Sequence, residues 1–429
     1  MGDLGKFKIN NGVEALLIVP ADSHEETGSE EMQINPTDAG HPGIPAETTM
    51  TEASSIPVVT AAGKPRIIAL DSLRGIAALI VVFHHLDNLL DEHGSNKFLG
   101  PIFHHSPLRI LIDGRTAVML FFILSGFALS ISIGKNFSYW TYLLRRLTRL
   151  MIPCIVGILL AATACYFVAP KPIPVLGGWF NSLVWNEPLT WGLVIRHILM
   201  TGTEPDTSLV NVLWSLVVEL RISLIFPILY FVTRKNTKIS AVVAVAMYFL
   251  FRYFVIQSDN YVPFFNRNWI EALENIGYYI PFFIAGIVAR ENIDAIRRFV
   301  AKMHWSLVIL ALLIAIRLEE SGVDFQIGIG AFLIIVLCVA SPFVSRGLSI
   351  RPIEWLGKVS YSLYLVHLTL LATVFHLFYG KVNSYLLSAI VAVGALLLAE
   401  VFYKLVEAPS IQLGRRLTAK KKVTPAIAV

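Results

Sequence analysis

Of the chain's 429 residues, 55% are hydrophobic and only 15% charged, against roughly 25% charged in an ordinary soluble domain, and the mean hydropathy is +0.65. That composition excludes a soluble globular enzyme and reads as a polytopic membrane protein. A formal charge of +5 makes no case for nucleic acid, because the basic residues sit in short clusters between apolar runs and report topology; Cys154, Cys165 and Cys338 lie inside such runs and suggest neither a disulfide framework nor a metal site.

Residues 1–65 form a polar tail rich in Glu, Thr, Ser, Pro and Gly, expected to be disordered. It lacks the basic start and continuous apolar core of a secretory signal. Apolar segments follow at 67–90, 115–133, 150–170, 208–233, 238–257, 269–289, 305–318, 326–345, 359–380 and 384–406, most with the roughly 17 to 25 residues that a spanning helix needs. The stretch 189–202 is also apolar, but it is shorter and holds Arg196 and His197. Basic clusters precede the first segment (Lys64, Arg66), follow the second (Lys135, Arg145, Arg146, Arg149) and the fourth (Arg234, Lys235, Lys238), and recur at Arg290 to Lys302, Arg346 to Lys358 and Arg415 to Lys422. All fall on one side if the chain crosses about ten times with both termini cytoplasmic. The 189–202 stretch is then a re-entrant or interfacial helix, covered by protein or a wet cavity. The expected fold class is an all-α membrane bundle over residues 66–417, with about ten transmembrane helices, that short extra helix, and a basic cytoplasmic tail over 418–429.

Ionisable side chains within the apolar runs are the candidate functional residues, since charge in hydrocarbon is costly and by default marks a site lined by protein or water. In the first run, Arg74 precedes the pair His84-His85. Helical geometry puts His85 within roughly 20° of Arg74's face and about 16 Å further along. One stripe thus carries a fixed cation at the cytoplasmic edge and an imidazole deep inside. An anionic cytosolic cofactor could be gripped at one end while its reactive tip meets an acceptor deeper in; a snorkelling anchor and a packing histidine also fit. In the second run, Arg115 opens the segment from the far side, and Ser125-Gly126 suits close helix packing. In the loop after it, Arg145 and Arg149 share a helical face, which fits a topology signal or phosphate gripping by guanidinium forks. Glu219 and Arg221 point in different directions, so each needs a partner from another helix. Glu219 is either a clamp on a buried arginine or part of the site. Tyr364 and His367, three apart, share a face in a late segment.

Together these phrases resemble the membrane acyltransferase-3 family. Leu70-Asp71-Ser72-Leu73-Arg74-Gly75, followed by an apolar run and a histidine eleven residues after the arginine, is similar to that family's first helix, and His85 rather than His84 has the spacing. Phe121-Phe122-Ile123-Leu124-Ser125-Gly126-Phe127 follows, then Arg146-Leu147-Thr148-Arg149 with Pro153, Leu213-Trp214-Ser215-Leu216-Val217-Val218-Glu219, Ser360-Tyr361-Ser362-Leu363-Tyr364-Leu365-Val366-His367 and Val406-Glu407-Ala408-Pro409. Ala408 departs from the pattern, as a basic residue is common there. No soluble esterase-like domain follows, so any second step is expected of a separate protein.

The resemblance implies transfer of an acyl group, usually acetyl, from acyl-coenzyme A to a hydroxyl of a carbohydrate, lipid or hydrophobic small molecule, with no metal expected. His85 and Glu219 are the catalytic candidates; Arg74, Arg146 and Arg149 are candidates for holding the phosphates of coenzyme A. Arg115, Trp214, Ser215, Tyr364 and His367 are further substrate-contacting or structural candidates. His85 would act as general base on the acceptor hydroxyl, or be acylated first in a two-step route. A secondary transporter or channel would also place Arg, His and Glu in the membrane, but paired interrupted helices in two matching halves are not evident.

Overall fold

The computed structural model describes residues 58–59, 65–91, 106–134, 136–176, 178–200, 208–257 and 268–419. The polar tail expected over 1–65, save 58–59 and 65, and the basic tail over 418–429, save 418–419, lie outside these residues.

Each expected apolar run falls on a helix, save that the run 326–345 is divided between two. The first three are α1 (Ile68–Asp91), α2 (Gly114–Ser132) and α3 (Tyr139–Val168). Two short helices, α4 (Gly178–Leu183) and α5 (Trp191–Leu199), precede α6 (Leu213–Lys235), α7 (Thr237–Gln257) and α8 (Trp269–Glu291). The short α9 (Ile293–Val300) leads to α10 (Trp305–Glu319), α11 (Asp324–Ala340) and α12 (Pro342–Leu348). Last come α13 (Arg351–Phe378), α14 (Ser384–Phe402) and, after a π-helical turn at Tyr403–Glu407, α15 (Ala408–Leu417).

Among the described residues eight helices are long and apolar enough to cross a membrane, and a ninth span is reached if α11 and α12, bent by 93° at Ser341, count as one. Pro342 opens α12, where its missing N–H ends the hydrogen-bond ladder of α11. The seventh expected segment, α10, has 15 residues, or about 22 Å, short of the roughly 30 Å hydrocarbon core. The chain is a multi-pass membrane helix bundle.

Two boundaries differ from the sequence reading. α3 begins at Tyr139 rather than near 150, because Ser138 caps it by accepting from Thr141 N at 3.5 Å. Arg145, Arg146 and Arg149 therefore lie in its first turns and not in a loop. The 189–202 stretch is helical over nine residues only, about 14 Å, and does not span. Its buried His197 accepts from Leu209 N on Nε2 at 3.1 Å, which leaves Nδ1–H to donate to Leu193 O at 2.9 Å. That one ring bolts α5 to the chain entering α6.

Small residues set the central crossings. A Cβ on Gly75 of α1 would stand 2.5 Å from Gly357 N of α13, and one on Gly357 would stand 2.5 Å from Asp71 O, so the two backbones touch. Gly126 of α2 and Gly286 of α8 meet in the same way, each Cβ overlapping a carbonyl of the other helix. Gly126 serves packing, as the sequence suggests. α1 is thereby wedged between α13 and α2, with Ala77 and Ala78 sealed at 0% exposure, and both faces of its Arg74–His85 stripe are turned into protein. Replacing Gly75 by Ala is expected to destabilise the fold by about 1–3 kcal/mol through overpacking. Thermal unfolding of the detergent-purified protein checks this, and an unchanged midpoint would contradict the backbone contact.

Candidate active site

A cavity of about 690 Å³ opens between α1, α2, α3, α6 and α13. It follows one face of α2, past Val118, Phe121, Ser125, Ala128 and Ser132, a run of about 21 Å along the helix axis.

Four arginines line it, Arg74 from α1 and Arg145, Arg146 and Arg149 from α3, against one carboxylate, Glu219 of α6. Glu219 Oε1 accepts from Arg146 Nη2 at 2.5 Å and from Ser125 Oγ at 2.7 Å, while Arg146 Nε donates to Ser223 Oγ at 3.0 Å. The partner that Glu219 requires from another helix is therefore Arg146, and Ser125, read from sequence as packing, completes the contact from α2. Arg74 Nη1 pairs with Asp71 Oδ1 at 3.0 Å. Arg145 Nε donates to Thr418 Oγ1 at 2.6 Å. Neither Arg145 nor Arg149 forms a salt bridge among the described residues, although Glu407 and Asp71 act on Arg149 electrostatically from further off. Guanidiniums that outnumber carboxylates around a cavity in an apolar bundle call for an anion, and their forks match phosphate oxygens.

Tyr364 closes the inner end. Ser215 Oγ donates to Val212 O at 3.2 Å and accepts from the Tyr364 hydroxyl at 2.6 Å, and the Tyr364 ring meets Phe121 edge-on at 5.7 Å. One turn deeper on α13, the His367 ring lies 6.1 Å from that of Tyr364 and 5.1 Å from that of His85. His367 Nδ1 is 3.0 Å from Leu363 O. A carbonyl only accepts, so this nitrogen carries the proton. His367 Nε2 then accepts from His85 Nδ1–H at 3.0 Å, and in the neutral pair the free lone pair is on His85 Nε2. Trp179 of α4 stacks on His85 at 5.3 Å and 24°. His84 is spent on packing: its Nδ1–H donates to Ile112 O at 2.9 Å, and its Nε2 accepts from Asn88 at 3.2 Å.

Arg74 and His85 share the stripe that their spacing requires, yet not one chamber. The cavity stops at Tyr364, and His85, 8% exposed, lies behind it. Spacing along α1 fixes the two faces, but α13 supplies the side chains that come between.

The acyltransferase domain family, acyltransferase-3, matches residues 67–404. The chain belongs to this family. Nodulation protein 10 of Rhizobium leguminosarum bv. viciae is 24% identical over 370 residues, 82% of this chain and 95% of that protein. Acyltransferase MdmB of Streptomyces mycarofaciens is 29% identical over 178 residues, 40% of this chain and 42% of that protein. No solved structure matches. The protein is a membrane acyltransferase, an enzyme rather than a transporter, and it joins an acyl donor to an acceptor at a bilayer.

In this acyltransferase, Arg74, Arg146, Arg149, Glu219, Ser215 and Tyr364 line the cavity, with His367 and His85 behind. Arg115 is elsewhere. Its Nη2 donates to Asp324 Oδ2 of α11 at 2.7 Å, its Nε faces the other oxygen, and Tyr278 of α8 donates to the same carboxylate. This clamp ties α2, α8 and α11 together, 209 residues apart in sequence across the ion pair. Trp214 is also off the cavity, its ring 6.1 Å from Tyr279 of α8. Arg145, Ser360, Tyr361 and Thr418 also line the cavity, and of these only Arg145 was singled out by sequence. Arg145 carried a signal in its four-residue spacing to Arg149; Thr418 carried none. Glu407, in the closing family phrase, is buried and accepts from Ser362 N at 3.2 Å and Ser362 Oγ at 2.6 Å, which pins α13 beside the cavity.

Arg115→Gln leaves Asp324 buried without its cation and is expected to cost about 3–5 kcal/mol of stability. The donor KM of the folded fraction should stay within about twofold of wild type, and a tenfold rise would return Arg115 to the site.

Proposed function

We propose that this acyltransferase moves an acyl group, acetyl by preference, from acyl-coenzyme A onto a hydroxyl of a carbohydrate, a lipid or a hydrophobic small molecule. The observation that carries the reading is a four-arginine cavity whose inner end abuts the row Tyr364, His367, His85. Eight crossings, an even number, return both termini to one side; with the basic clusters on the cytosolic face, the cavity opens to cytosolic donor. Arg74, Arg146 and Arg149, joined by Arg145, bind the donor's phosphates. Glu219 is a positioning residue, since its Oε1 already accepts from Arg146 and Ser125. The inner end, closed by Phe121 against Tyr364, favours a small acyl group over a long chain.

His85 Nε2 removes the acceptor hydroxyl's proton as that oxygen attacks the thioester carbonyl. The new C–O bond forms, the C–S bond breaks, and His85 returns the proton to the departing sulfur. His367 holds His85 in the tautomer that leaves Nε2 free. The Tyr364–Ser215 pair stands between donor and base, and it parts when the acyl carbon meets the acceptor oxygen.

Labelled acetyl-coenzyme A supplied to membranes containing the protein tests this. His85→Ala is expected to lower label transfer about 10²- to 10⁴-fold, and transfer at the wild-type rate would refute the assignment. Arg149→Ala should raise the donor KM about tenfold or more with a smaller change in kcat; an unchanged KM would remove the arginines from donor binding.

A further inference from the structure

One wall of the cavity is not a transmembrane segment. Thr418, immediately after α15, lines it, accepts from Arg145 Nε at 2.6 Å and donates its own proton to Gly414 O at 2.8 Å. Ahead of it stand Arg415-Arg416-Leu417. A threonine with arginines three and two positions before it has the charge pattern that basophilic serine/threonine kinases read. Arg415, Arg416 and Leu417 are exposed, so the run is open to a partner. The same four residues occur once more, as Arg145-Arg146-Leu147-Thr148. There the threonine is buried at 8% exposure within α3, bonded to Leu144 O and packed by Gly414. Of the two copies, Thr418 alone combines the pattern with access.

We propose that Thr418 is a phosphorylation site, and that the phosphothreonine occupies the arginine cluster and shuts out the acyl donor. The inference rests on the reading of this cavity as the donor site. In the step, a bond forms between Thr418 Oγ1 and the γ-phosphorus of ATP, the γ-phosphorus to bridging-oxygen bond breaks to release ADP, and the hydroxyl proton passes to the kinase's base. The cavity gains a charge of about −1.5 to −2 and three acceptor oxygens. They arrive where Arg145 already contacts the hydroxyl and where neither Arg145 nor Arg149 forms a salt bridge among the described residues. A phosphate at a helix C-terminus is otherwise disfavoured, so the arginines hold it, and while they do they cannot hold the phosphates of a donor.

The test uses the full chain in proteoliposomes, treated with a basophilic kinase and ATP, with the modified residue located by mass spectrometry and acetyl-coenzyme A binding titrated before and after. Phosphate on Thr418 and a rise in donor Kd of about tenfold or more are expected. Thr418→Ala should give the same Kd before and after treatment, and Thr418→Glu should shift Kd in the direction of the phosphorylated wild type. Absence of phosphate on Thr418, or its presence with an unchanged Kd, overturns the inference and leaves the donor reading in place. Unmodified protein that binds no acetyl-coenzyme A overturns both.

Discussion

Arg146 sits between Glu219 and Ser223 of α6, and that contact governs the rest of the site. A guanidinium in an apolar bundle is tolerable only when its charge is met and its N–H groups are bonded. α6 meets one of four. Arg74 has Asp71 one turn back, whereas Arg145 and Arg149 face the cavity without a salt bridge among the described residues. The bundle thus carries positive charge over into an enclosed volume. On the proposed reading, that charge is reserved for the phosphates of the acyl donor.

What keeps this arrangement in register is backbone contact. The crossings Gly75–Gly357 and Gly126–Gly286 bring α1, α13, α2 and α8 closer than side chains would permit, the usual device where hydrocarbon gives helices no hydrophobic reason to associate. The α1–α13 crossing matters most for chemistry, because the same two helices then deliver His85 and His367 to each other at 3.0 Å. At the other end of the bundle, the Arg115–Asp324 clamp does for α2 and α11 with charge what glycine does elsewhere with proximity.

Much of this was legible from single segments. The helical segments followed from hydropathy, and Arg74 and Glu219 from the rule that charge inside an apolar run is there for a reason, while Arg146 and Arg149 were marked by the family resemblance. Arg115 obeyed the same rule with its role left open between substrate contact and structure; its partner Asp324, between two apolar runs far along the chain, makes it a clamp. Periodicity put Arg74 and His85 on one face of α1 but was silent on Tyr364, which α13 inserts between cavity and imidazole. The arginine turn of α3 read as a loop because charge interrupts hydropathy without interrupting a capped helix. Nothing in sequence placed Thr418 at the cavity: its position there depends on α15 folding back along α3 with Gly414 against Thr148.

The central claim is that the arginine cluster holds the donor's phosphates while its acyl end reaches toward the histidine pair. An experimental structure of the protein with a non-reactive acetyl-coenzyme A analogue tests it most directly. The account predicts phosphate density among Arg74, Arg145, Arg146 and Arg149 and the acyl carbonyl at Tyr364, next to His367 and His85. Density for the analogue at the opposite end of the bundle, or with its phosphates away from these four arginines, would contradict it.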